Sequence, residues 1–225
     1  MDPFSDPAMV ADYAKVTPQR VPGLLDLHRM AVVMISETAR EDASVLVLGA
    51  GGGLELHSFA TARPNWSFVG VDASQAMLDL AANIVKDAGS RVELLRGDIN
   101  DAPDGPFDGA TCLLTLHFLT QAERLHVLRG LRKRLRPGAP LIIAHHCRPK
   151  IGQAHDWLTR SATFAAGENA DVTIAARSAM GMMQKLMLLS EKDEEMLMRK
   201  AGFTAPAMFY AGLSFRGWVA YAPEH

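Results

Sequence analysis

The chain has 225 residues, 48% of them apolar, and a formal net charge of −2. That length supports one sizeable core with an inserted segment, the near-neutral charge gives no general footprint for nucleic acid, and no apolar run is long enough to span a bilayer. Two cysteines, Cys112 and Cys147, are too few for a disulfide framework and point to a reducing cytoplasm.

The chain opens Met1-Asp2-Pro3-Phe4-Ser5-Asp6-Pro7, acidic and broken by proline, unlike a signal peptide. Residues 1–20 read as partly disordered, or as a short helix around Pro7 to Lys15. Residues 24–39 form an apolar-rich helix that leads into Val45-Leu46-Val47-Leu48, a buried strand by its apolar run and the turn signal after it. Gly49-Ala50-Gly51-Gly52-Gly53 follows, where glycine lets the backbone turn sharply and approach a ligand. Leu54 to Ala62 resumes as a helix. A strand, a glycine loop and a helix make the unit that holds nucleotide-like cofactors in α/β proteins, although a glycine loop alone is also a plain tight turn.

Glycine spacing narrows the cofactor. A dinucleotide fingerprint needs glycine where Leu54 stands, and no Gly-Lys-Ser/Thr follows as in a phosphate-binding loop. Glu55 brings a negative charge to the helix start, which opposes a pyrophosphate there. The loop therefore suits a cofactor without phosphates.

A second strand, Trp66 to Asp72, ends in an acid 21 residues after Gly51. That spacing places a carboxylate at ribose hydroxyls, and an N-cap of the next helix is the alternative. Ser74-Gln75-Ala76-Met77-Leu78 starts that helix, with Met77 either core or against an adenine. A third strand, Val92 to Arg96, leads to Gly97-Asp98-Ile99, where Asp98 could equally cap a turn before Asn100-Asp101. A fourth lies within Phe107 to Leu114 and runs on to Thr115-Leu116-His117-Phe118-Leu119; Asp108 reads as structural at its start.

Leu125, Leu128, Leu131 and Leu135 mark an amphipathic helix ended by Pro137-Gly138. Its basic cluster (Arg129, Arg132, Lys133, Arg134, Arg136) reads as a solvated face. The fifth strand ends in His145-His146-Cys147. Alternation sends the two histidines to opposite faces, so no metal site is assigned. Alternating strands and helices up to residue 147 are the signature of an α/β, doubly wound parallel sheet. Residues 148–190 show no strand and carry Trp157, Leu158, Phe164 and the methionine-rich Met180 to Met187. They read as inserted helices, either a lid over a cavity or plain core. Glu191 to Lys200 is a further helix, and Pro206 to Tyr210 with Phe215 to Tyr221 form a hairpin. The expected organisation is an N-terminal arm (1–23), an α/β core (24–147), a helical lid insertion (148–190), and a terminal helix and hairpin that complete the core (191–225).

In order, LGAGGG (48–53), VDASQAML (71–78), GDI (97–99), FDGATCLLTLHFL (107–119) and LRPGAPLIIAHH (135–146) resemble the class I S-adenosylmethionine-dependent methyltransferases over about residues 20 to 222. The resemblance implies a mostly parallel seven-stranded sheet with a terminal antiparallel hairpin, and S-adenosyl-L-methionine as cofactor. It implies that Gly49, Ala50, Gly51 and Gly53 border the methionine portion, and that Asp72 with Ala73 meets the ribose. Asp98 would accept from the adenine amino group, Met77 and Ile99 would flank the ring, and Leu113 and Leu114 would close the strand-four side. Family members usually carry an acid two residues before the first glycine, and Val47 stands there. His117 falls beside the expected transfer centre, as a cofactor or acceptor contact or as a polar residue satisfied by backbone.

A narrower resemblance joins Val21-Pro22-Gly23, the helix after it, Arg177-Ser178, Lys200-Ala201-Gly202-Phe203 and the last hairpin to the carboxy-S-adenosylmethionine synthases, which use prephenate. It implies that Arg177 pairs with a carboxylate, since a guanidinium fork meets both oxygens. Leu24, Gly51 and Leu113 replace a tyrosine, a serine and an asparagine of that pattern. The expected activity is methyl transfer to an unidentified small-molecule acceptor, with the synthase reaction or a non-catalytic binding module as alternatives. No membrane or nucleic-acid partner is expected, and a homodimer is compatible with the sequence.

Overall fold

A computed structural model describes residues 7–224, so the first six residues of the expected arm lie outside the described residues. Elements follow in the order α1 (Pro7–Arg20), α2 (Leu24–Ser36), β1 (Ser44–Leu48), α3 (Leu54–Ala62), β2 (Ser67–Asp72), α4 (Gln75–Ile84), β3 (Val92–Arg96), β4 (Gly109–Leu113), α5 (Gln121–Arg134), β5 (Pro140–His146), α6 (Ala154–Ala166), α7 (Val172–Lys185), α8 (Glu191–Lys200), β6 (Thr204–Gly212) and β7 (Phe215–Tyr221). The first helix runs past the expected Lys15 to Arg20, with Pro18 inside it.

The seven strands form one sheet in the order β3-β2-β1-β4-β5-β7-β6. Strands β1 to β5 pair in parallel, and β7 pairs antiparallel with both β5 and β6. The expected mostly parallel, doubly wound seven-stranded sheet with a terminal hairpin is what the chain forms. Edge strand β6 is longer than expected and irregular between Thr204 and Ala207. Pro206 lies within that irregularity, the kind of edge position where a missing N–H is tolerated.

Helices on both faces explain why β1 and β5 are apolar throughout. Side chains alternate between two cores. Leu46, Leu48, Leu141 and Ile143 pack with Leu128 and Leu131 of α5 and with Leu197 and Met198 of α8. Val45, Val47, Ile142 and Ala144 pack with Leu24, Leu27 and Ile35 of α2 and with Leu56 and Phe59 of α3. Strand order reverses between β1 and β4, and ligands in such sheets bind in the crevice at the carboxyl ends of strands beside that switch.

The basic cluster is not a uniformly solvated face. Arg129 and Lys133 are exposed, but Arg134 is buried and donates to the carbonyls of Ala102, Pro103 and Gly130. Arg136 instead pairs with Asp108 at 3.2 Å. Asp108 also accepts from the Arg40 guanidinium and the Ser44 N–H, so it ties the start of β4 to its neighbours. Leu158, Ala179 and Leu186 of the 148–190 segment bury against one another in a satellite core.

Candidate functional site

A cavity of about 540 Å³ opens at the switch point. Its floor is made by strand ends: Leu48 of β1, Val71 and Asp72 of β2, and Leu113 of β4, with Gly97 just beyond β3. Gly49, Gly51, Ala73, Met77, Asp98, Ile99 and Leu114 line it too, so nine of the thirteen residues singled out in the sequence converge. Phe118, Leu119, Glu123, His126 and Val127 close the side toward α5.

The glycine loop turns its amides inward. The N–H groups of Gly49 and Ala50 donate to the Val71 carbonyl, that of Gly53 to Ala50, and that of Gly51 to Asp72 Oδ2 at 2.8 Å. A pyrophosphate site needs such amides pointing at the ligand. Gly49 and Gly51 both sit at positive φ. A Cβ on Gly49 would lie 2.1 Å from Thr115 Oγ1, and one on Gly51 would lie 3.0 Å from the Tyr13 hydroxyl. The loop is thus a close-fitting wall in which four of the five amides are taken by protein acceptors.

Asp72 is not the N-cap of α4; Ser74 is, accepting from the Met77 N–H. Asp72 Oδ1 accepts from the Ser74 N–H at 2.9 Å, so one carboxylate fixes both the glycine loop and the entry to α4. Asp72 also lines the cavity. Asp98 does make the local turn, accepting from the backbone and side chain of Asn100. It lines the cavity as well. Met77 is buried and lines the cavity. Leu114 adopts φ 57°, a left-handed conformation costly for a branched side chain, at the cavity wall.

Four singled-out residues are placed elsewhere. Gly53 caps α3 in a left-handed conformation, and a Cβ there would meet Ala81 Cα at 2.8 Å, so it serves close packing of α3 on α4. Ala50 lines a smaller neighbouring cavity. His117 is buried, its Nδ1 accepts from the His146 N–H, and it does not line the large cavity; it is a polar residue satisfied by backbone. Burial, then the neighbouring His146, His145 and Arg124, hold its pKa well below the ordinary histidine range. Arg177 is exposed on α7 and lines neither cavity. No residue of 148–190 lines the large cavity, and Leu158, Ala179 and Leu186 of that segment form their own small core.

What covers the glycine loop is Tyr13 from α1, which the sequence reading missed. Burial, then the Asp72 and Glu55 carboxylates, push its phenol up to about 12, so it stays a neutral donor. His145 and His146 do face opposite ways, toward Glu194 and Ser214 respectively. Among the described residues no three His, Cys, Asp or Glu side chains are grouped as a metal site. No helix among them is long and apolar enough to cross a membrane.

Among the described residues, every charged side chain that lines the large cavity with a fixed sign is a carboxylate: Asp72, Asp98 and Glu123. Together with inward-turned amides, this lining fits a positively charged, phosphate-free adenosyl compound and disfavours NAD or ATP.

Comparison with known proteins gives the same answer. A family described as a methyltransferase domain matches residues 45–138. Cypemycin N-terminal methyltransferase from a Streptomyces species is 31% identical over 176 residues, covering 76% of this chain and 69% of its own. Carboxy-S-adenosyl-L-methionine synthase of Desulfotalea psychrophila is 22% identical over 209 residues, covering 91% and 85%. Among solved structures, human N-acetylserotonin methyltransferase in complex with S-adenosylmethionine superposes with a TM-score of 0.65 at 14% identity, covering 98% of this chain and 57% of its own. An O-methyltransferase family protein from Burkholderia thailandensis gives 0.65 at 17% identity, covering 96% and 57%. The chain spans less than two thirds of those two structures, which carry the fold only. Fold, cavity and relatives agree that the chain belongs to the class I S-adenosylmethionine-dependent methyltransferases.

Proposed function

We propose that the chain transfers a methyl group from S-adenosylmethionine to a small-molecule acceptor in the cytoplasm. The carrying observation is the all-carboxylate charged lining of a cavity at the β1/β4 switch. Asp72 would hold the ribose, Met77 and Ile99 the adenine faces, and Asp98 the adenine amino group. When bound, the cofactor supplies an already activated methyl. The chain's own task is then to align the acceptor with it, and orientation of this kind is worth on the order of 7–11 kcal/mol. Apolar walls from Leu113, Leu114 and Phe118 exclude water from that meeting point. Two buried free thiols fit a reducing compartment.

A second reading, synthesis of a carboxylated cofactor, draws on the names of several relatives. Against it, no arginine or lysine among the described residues lines either cavity to receive an added carboxylate, and Arg177 is exposed. Incubation with labelled S-adenosylmethionine distinguishes the two. Panels of small amines, phenols and carboxylic acids should yield S-adenosylhomocysteine with at least one acceptor, and prephenate should yield no carboxylated product. A carboxylated cofactor formed from prephenate would replace the first reading with the second.

A further inference from the structure

Beside the large cavity lies a second one of about 20 Å³, walled by Tyr13, Thr17, His28, Gly49 and Glu55. Tyr13, Gly49, Leu113 and Leu114 line both, so the small space adjoins the methionine side of the large one. Its volume admits one water-sized group. Glu55 is only 6% exposed, and its Oε1 has no hydrogen-bond partner. A buried acceptor left unmatched costs free energy that a ligand can recover. The groups facing it bring no positive charge. His28 from α2 is pushed down to about 4 by burial, and Tyr13 from α1 stays neutral. Burial raises Glu55 itself to about 7, against a smaller lowering by Thr111 of β4, so a cation arriving there would hold it ionised.

We propose that Glu55 receives the α-ammonium of the cofactor's methionine end, from the first turn of α3. The inference rests on the S-adenosyl reading of the large cavity. An ammonium is close to water in size and offers three donors, which match Oε1 and the Thr17 hydroxyl. A carboxylate is too large and of the wrong sign for this space. Val47, where the family's usual acid is absent, is fully buried among apolar side chains and offers nothing to an ammonium. Glu55 therefore relocates the anionic contact from the strand to the following helix.

The test compares S-adenosylhomocysteine with 5′-methylthioadenosine, which lacks the amino-acid end, by calorimetry on the intact chain and on Glu55→Gln. Glutamine matches the neutral acid in shape, which favours retention of the fold. The variant should bind S-adenosylhomocysteine at least tenfold more weakly and methylthioadenosine within twofold of the unmodified chain. Equal weakening of both, or of neither, overturns the proposal. A second measurement needs no variant: on the unmodified chain, deaminated S-adenosylhomocysteine should lose at least tenfold and the decarboxylated analogue less than threefold. The reverse order overturns the proposal. If the unmodified chain binds neither parent compound, the cofactor reading itself fails, and this inference with it.

Discussion

Replacing Asp72 with alanine should weaken S-adenosylhomocysteine binding about a hundredfold. The carboxylate does two jobs at once. It holds the Gly51 N–H at 2.8 Å and the Ser74 N–H at 2.9 Å, which sets the glycine loop against the start of α4. It also lines the cavity, where two ribose hydroxyls would donate to it. Hydrogen bonds to a charged group contribute about 1.5–3 kcal/mol each, and part of that is recovered by water in the variant. A net loss of about 3 kcal/mol corresponds to about a hundredfold in affinity. Asp72→Asn keeps the shape and should lose less. Calorimetric titration of both variants checks this, and affinity within threefold of the original for Asp72→Ala would remove Asp72 from the site.

The largest effect on stability should come from Arg124→Met. Arg124 and His145 are both fully buried, and both contact Glu194 Oε1, His145 at 2.9 Å. Arg124 also donates to the carbonyls of Leu119 and Met187, so it joins α5, α8 and the end of the 148–190 segment. Without it, Glu194 would be left buried beside a single histidine. Removing one partner of a buried pair costs about 3–5 kcal/mol, or on the order of 10 °C in melting temperature for a chain of this size. Arg124→Met combined with Glu194→Leu should recover at least half of that loss, because the orphaned charge goes too. Denaturation midpoints of the single and double variants check both statements.

The pH dependence of this cluster has a definite sign. Burial works against ionisation of Glu194, but His145 and Arg124 outweigh it and hold its pKa below the ordinary glutamate range. A carboxylate depressed in the folded state stabilises the fold above its unfolded pKa. That contribution is lost as pH falls through the folded value.

Strand-end residues were legible because topology fixes them. Once an apolar run, a glycine loop and a helix repeat in order, the carboxyl ends of β1, β2 and β4 must meet at the switch, which brings Gly49, Asp72, Met77, Asp98 and Leu113 together. At Asp98 and Met77 the local turn and core readings hold, and both residues also line the crevice, since a turn or a core position at a strand end faces it. Residues governed by tertiary packing were less legible. Tyr13 reaches the site only because α1 lies across the glycine loop, and nothing in the helix's own pattern announces that. In the sequence Glu55 is a charge at a helix start, whereas its burial depends on α1 and α2 closing over it. Gly53 carries the same loop signature as Gly51 but faces Ala81 of α4. His117 sits next to the cavity in sequence, but its side chain turns back to the His146 N–H. Arg134, read as part of a solvated stripe, is buried among carbonyls that have no pattern of their own in the sequence.

The central claim is that the crevice at the β1/β4 switch accepts an adenosyl sulfonium and rejects phosphate-bearing nucleotides. Calorimetric titration of the intact chain with S-adenosylmethionine, NAD and ATP under one buffer tests it most directly. The account predicts saturable heat at one site per chain with S-adenosylmethionine and none with the other two. Saturable binding of NAD or ATP, with no heat from S-adenosylmethionine, would contradict it.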